Sequence, residues 1–153
     1  MGPLVIVVPG EPRGKGRPRF VSTPRGGRTY TDAETVAFER MVAWCAKQAG
    51  AVPVGGPVNM TVRAYLQIPK SASKKRQADM LAGIDRPTKK PDADNILKAL
   101  ADGLNGIAIH DDTQIVDLTI SKFWSLEPRL EIEISPVMAI TERSDGVLRD
   151  KAA

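Results

Sequence analysis

The sequence predicts an α+β fold, with a mixed β-sheet of about four to five strands packed with two main helices in a single domain. Three observations carry this. Residues 57–68 (PVNMTVRAYLQI) alternate apolar and polar side chains through a full strand. The run Asn95–Leu104 sets apolar residues at helical spacing. A chain of 153 residues, 42% hydrophobic and 26% charged, is long and apolar enough for one domain with its own core, and too apolar for a disordered one.

Taken in order, residues 4–8 (LVIVV) form a β-branched run ending at Pro9-Gly10, a buried strand. Residues 11–30 are rich in Gly, Pro and Arg without periodicity, and read as a loop. Thr31 and Glu34 fit a capping box, so a helix is expected from there to about Ala49, with Gly50 as its stop. Ala37, Met41, Trp44, Cys45 and Gln48 make its expected inner stripe.

Val58, Met60, Val62, Ala64, Leu66 and Ile68 share the buried face of the next strand. A short helix is expected near Lys74–Leu81. The helix from about Asn95 turns Ile96, Leu97, Leu100 and Leu104 inward, and Asn105-Gly106 supplies its C-cap. Residues 114–124 and 129–134 alternate again and are joined by Ser125–Pro128, which predicts an antiparallel hairpin. The domain is expected to span 1–135, with 136–153 a mobile tail that has little to bury.

The chain holds 22 Lys+Arg against 18 Asp+Glu, a formal net charge of +4. Its distribution matters more than its total. Residues 11–30 carry six Arg/Lys and one Glu, and residues 70–90 carry seven Arg/Lys and two Asp. The acids gather at 92–117 and 127–133. Two basic segments around an acidic cluster suit a polyanion that approaches through phosphate contacts. Arg13, Lys15, Arg17, Arg19, Lys74, Lys75, Arg76, Lys89 and Lys90 are the candidate contacts.

One cysteine, Cys45, excludes an internal disulfide and reads as a small core residue; one histidine, His110, argues against a His/Cys zinc centre. No apolar run has the length of a membrane span, and LVIVV is too short for a signal peptide, so a cytoplasmic protein is expected.

The acidic cluster begins with PDADN. Asp92 and Asp94 share a face if the segment is extended and oppose each other if it is helical. Pro91 favours extension, which places the pair at a strand-to-helix transition with Asp94 as N-cap. Lys98 lies one turn on, along the polar side of the helix. Asp111 and Asp112 open the next strand and can fold back beside the first pair. Carboxylates without His or Cys suit a hard ion such as Mg²⁺, with Lys98 stabilising charge on a phosphate. Each element has a plain reading as well: Asp94 as a helix cap, Asp111-Asp112 as turn residues, Lys98 as a solvated side chain. GEPRGKG is too short between its glycines for a P-loop, and Ser71–Lys74 fits SxxK without the motifs that accompany it.

KPDADNILKALADGLNG followed by DDTQIVDLTISK resembles the RusA family of Holliday junction resolvases, small Mg²⁺-dependent endonucleases common in phages and prophages. The family pattern D-x-D-N-x-x-K is met by Asp92, Asp94, Asn95 and Lys98. Asp102 fits the helical Asp, and Asp111, Asp112 and Gln114 fit D-D-x-Q. PGEPRGKGRPRF also resembles the opening of phage-type members. The resemblance implies a homodimer acting on branched DNA such as a four-way junction, in recombination and repair. It implies metal binding by Asp92, Asp94 and Asp112, with Mg²⁺ as cofactor and Mn²⁺ as a substitute. It implies a catalytic role for Lys98, with Asp111, Asn95 and Asp102 as supporting residues. Some members carry an arginine-rich run before the first Asp, where this chain has Lys89-Lys90-Pro91. Two rivals stand beside this expectation: a nuclease for forks or other branched DNA, and a non-catalytic DNA-binding protein.

Overall fold

The computed structural model describes residues 2–137; the expected C-terminal tail lies almost wholly outside the described residues. Six strands and three helices follow in the order β1 (Leu4–Pro9), β2 (Arg19–Thr23), β3 (Gly26–Tyr30), α1 (Ala33–Gln48), β4 (Val58–Gln67), α2 (Lys74–Leu81), α3 (Ala93–Leu104), β5 (Ile115–Ser125) and β6 (Arg129–Pro136). The α+β class is as expected. Four strands form a mixed sheet in the order β1-β6-β4-β5, and β2 and β3 form a separate two-stranded ribbon.

β4 holds the centre. Val58, Met60, Val62, Ala64 and Leu66 are buried, as the alternation predicts, and stack with Leu130, Ile132 and Ile134 of β6 and Ile6 and Val8 of β1. α3 connects β4 to β5, and these two strands run parallel, as a crossover helix requires. β6 then runs antiparallel to β4 on its other side. The expected β5–β6 hairpin is therefore corrected: β4 lies between the two strands. Alternation fixes which face a strand buries but not its lateral neighbour, so the sequence pattern allowed both arrangements.

Two further corrections concern α1. Its N-cap is Asp32, whose carboxylate accepts the Thr35 N–H at 2.7 Å, rather than Thr31. That bond holds the Asp32 carboxyl below its ordinary pKa. The buried face is Thr35, Val42, Cys45 and Ala46, whereas Met41 and Trp44 face solvent. Small residues turn inward because α1 and α3 cross closely. A Cβ on Gly103 would stand 2.9 Å from the Glu39 carbonyl oxygen and 2.8 Å from Val42 Cβ. Gly103→Ala is accordingly expected to destabilise by about 1–3 kcal/mol through overpacking, although alanine is the better helix former. Thermal unfolding checks this; an unchanged or raised melting temperature would show that the helices can part freely.

The segment read as a loop at 11–30 contains the β2–β3 ribbon. It escaped the sequence reading because none of its residues is buried and it has no apolar face.

Candidate active site

α3 begins about two residues earlier than the spacing suggested, so the expected N-cap at Asp94 is corrected to Asp92. Asp92 is the N-cap, with φ −71° and ψ 152°, and Asp94 lies inside the first turn. Asp92 occupies the cap position yet makes no side-chain cap hydrogen bond, so its carboxylate remains available. The helix stays in place through its apolar face: Ile96, Leu100 and Leu104 are fully buried and Leu97 is half-buried. Asn105 ends it and Gly106 follows at φ +78°, the expected C-cap.

Two hollows flank this helix. One, of about 820 Å³, lies at its N-terminus, where Asp92 and Asn95 face Arg13, Arg17, Lys89 and Lys90. The other, of about 210 Å³, lies between α3 and the edge strand β5, where Lys98 and Asp112 stand on an apolar floor that includes Leu97 and Val116. None of Asp92, Asp94, Lys98 and Asp112 enters an ion pair among the described residues. Nor do any three carboxylate, histidine or cysteine groups there converge closely enough to enclose a metal ion. The donors are all oxygen, and the Asp92 carboxylate is uncommitted at its cap. That fits a hard divalent cation, which takes only one or two protein carboxylates and completes its shell with water and phosphate.

Asp111 differs from Asp112. Its carboxylate accepts the Thr113 hydroxyl at 2.7 Å, which holds its pKa low and turns it into its own loop. Gln114 makes the larger contribution. Its side-chain oxygen accepts from the backbone N–H groups of His110 at 2.7 Å and Asp111 at 3.0 Å. Its amide nitrogen donates to the carbonyls of Val54 at 2.7 Å and Gly56 at 2.8 Å. One side chain thus fastens the turn that carries Asp112 to the segment before β4. In the sequence Gln114 is only the last position of the D-D-x-Q pattern, and nothing there signals this bracing role.

The N-terminal strap is equally specific. Lys15 N–H donates to the Asn95 carbonyl at 3.1 Å, and Gly16 N–H donates to the Thr35 hydroxyl at 3.1 Å. A Cβ on Gly14 would meet Asn95 Cβ at 2.9 Å, and one on Gly16 would collide with the Asp32 carboxylate. Glycine at both positions lets Gly14-Lys15-Gly16 lie flat across the N-termini of α1 and α3. The Lys15 ammonium bonds Asp102 and lies 3.6 Å from Glu39; the bond to Asp102 raises the lysine pKa. Among the expected phosphate contacts, Lys15 is therefore committed inside the chain, and Arg13 pairs with Glu34 at 2.6 Å. Asp102, expected near the metal, anchors the strap. Lys15→Met is expected to cost about 1 kcal/mol of stability, a fall of roughly 2–4 °C in melting temperature. A Lys15→Met chain that melts like the wild type would return Lys15 to the role of a free phosphate contact.

The other basic wall is braced by β5. Asp85 accepts from Trp124 Nε1 at 3.2 Å and from Arg76 Nε at 3.0 Å. The Arg86 guanidinium lies 4.0 Å from the centre of the Phe123 ring, and Lys122 Nζ donates to the Lys89 carbonyl. These contacts lead the chain from α2 along the end of β5 and deliver Lys89 and Lys90 to the first hollow. Lys74 and Lys75 are exposed on α2.

The expected strand before α3 is absent, and the chain enters this helix from α2 through an irregular segment; a helix N-terminus that offers the Asp92 carboxylate to a basic hollow suits a nuclease that acts on phosphodiesters. Residues 9–135 match the family model for endodeoxyribonuclease RusA, and the chain belongs to that family. It is also similar to the uncharacterized protein YqaN of Bacillus subtilis (strain 168), at 41% identity over 141 residues, covering 89% of this chain and 98% of that one. The protein is an endodeoxyribonuclease, of a family whose members generally need divalent metal ions. No helix among the described residues is long and apolar enough to cross a membrane.

Proposed function

We propose that the protein is a Mg²⁺-dependent homodimeric endonuclease that resolves four-way DNA junctions by paired cuts during recombination and repair. The observation that carries this is the N-terminus of α3. There, Asp92 stands beside a basic hollow and Asp94 follows in the first turn, both free of ion pairs among the described residues, while Lys98 and Asp112 line the second hollow. In this reading Asp92, Asp94 and Asp112 are the candidate ligands, of which the ion takes one or two in the arrangement described and completes its shell with water and phosphate, with Asp111, Asn95 and Asp102 supporting the elements that carry them. A bound divalent ion supplies Lewis acidity toward the phosphoryl group and a nucleophilic water.

The remaining work belongs to the chain itself. Lys98 neutralises charge that builds on the phosphate. Arg17, Lys89 and Lys90 hold the strand in the hollow, and Arg19, Lys74 and Lys75 reach flanking phosphates, while Arg76 is engaged by Asp85. A four-way junction has approximate two-fold symmetry, so two related sites on a dimer suit paired cuts. The exposed Met41 and Trp44 of α1 supply apolar surface for a second copy of the chain.

Cleavage of a mobile four-way junction, a fork and a linear duplex, each with and without Mg²⁺, tests the reading. Paired cuts on opposing strands of the junction are expected. Cleavage confined to the fork would reassign the substrate, and no metal-dependent product on any of the three would defeat the reading. A monomer in sedimentation at micromolar concentration would count against the dimer.

A further inference from the structure

We propose that the β2–β3 ribbon is a clamp that lies against the phosphates of one duplex arm beside the cleavage site. The inference rests on the nuclease reading above and adds a contact surface to it.

Residues 17–30 contain four arginines and no acid, as much positive charge as the formal excess of the entire chain. The ribbon packs nothing away: every residue of β2 and β3 is exposed. A two-stranded ribbon with no hydrophobic face is marginal on its own. This one is nevertheless built rather than slack. Its five pairs run from Arg19↔Tyr30 to Thr23↔Gly26, and the Thr23 hydroxyl closes the turn on the Gly26 carbonyl. The Phe20 ring lies over Gly27, in the space where a side chain on Gly27 would stand.

The register sorts the faces. Phe20, Ser22, Gly27 and Thr29 occupy one, where the phenyl ring covers the glycine. Arg19, Val21, Arg28 and Tyr30 share the other, and Arg25 stands at the turn. At the base, Arg17 lines the hollow that holds Asp92, and Arg19 acts on the Asp32 carboxylate at the start of α1. Arg25 and Arg28 lie farther out and enter no ion pair among the described residues. Counted along the strand, five residues put the turn up to about 17 Å beyond the base of the ribbon. The major groove of a duplex admits a two-stranded ribbon, and arginines there can meet phosphates on its walls. A surface of unopposed arginines on a ribbon whose base meets the hollow matches the next stretch of the same polyanion.

The test uses the full-length chain and the double variant Arg25→Ala/Arg28→Ala, with a labelled four-way junction in metal-free buffer to prevent cleavage. Affinity is measured from 0.05 to 0.3 M salt. Removal of two phosphate contacts should lower the slope of log affinity against log salt by about 1.8, with binding roughly tenfold or more weaker at 0.15 M. The melting temperature should not move, because the two side chains bury nothing. A wild-type slope in the double variant would overturn the clamp and leave the nuclease reading standing. Failure of the wild-type chain to bind any DNA would overturn both, and is seen before the variant is made.

Discussion

Asp94→Asn is expected to abolish metal-dependent cleavage of a four-way junction while leaving DNA binding intact or tighter. The side chain keeps its size and its place in the first turn of α3, so the fold should be unaffected. What disappears is a negative oxygen donor to a hard cation, and an amide is a much weaker one. Loss of several kcal/mol of metal-assisted stabilisation corresponds to a rate fall on the order of 10³-fold or more. Binding moves the other way because one carboxylate no longer repels the phosphate. Single-turnover cleavage with Mg²⁺, paired with an affinity measurement in its absence, separates the two effects. Retained cleavage would remove Asp94 from the active site.

Gln114→Ala is expected to damage both stability and cleavage. Four backbone groups lose their partner at once: the N–H groups of His110 and Asp111 and the carbonyls of Val54 and Gly56. Water can reach part of this half-buried site, so the stability cost should be about 1–3 kcal/mol. The turn that carries Asp112 then loosens, and a ligand whose support is removed typically costs 10–100-fold in metal affinity or activity. Gln114→Glu sharpens the test. A carboxylate can still accept from the two N–H groups but repels the two carbonyls, whereas its protonated form can donate to one of them. The deficit in melting temperature relative to wild type should therefore shrink as pH falls toward about 5. A deficit independent of pH would mean that the amide's two donated bonds contribute little.

The strands most legible in the sequence were those with one covered face. β4 alternates because helices pack on one side only, and Val58 through Leu66 are buried as read. The apolar stripe of α3 was legible for the same reason. α1 was misread in part: Cys45 is buried as expected, but the larger Met41 and Trp44 face solvent, while the close approach at Gly103 is made against Val42. The ribbon left no signal because it buries nothing. At the site, the spacing of Asp92, Asp94 and Lys98 was readable along the chain. The bond between Lys15 and Asp102 was not, since it joins positions 87 residues apart and each looks like an ordinary surface charge.

The strand order carries a consequence for timing. β1, the first strand of the main sheet, pairs only with β6, the last. The strap that leaves β1 therefore cannot be held at its root until residues 129–136 have been synthesised and docked. A nascent chain grows N-terminus first over seconds. Through most of that time it carries basic segments and carboxylates without the sheet that aligns them. Strand-cutting competence thus arrives as a late event in the life of each chain, after the β-sheet closes, and an interrupted translation product ending before β6 would leave DNA uncut.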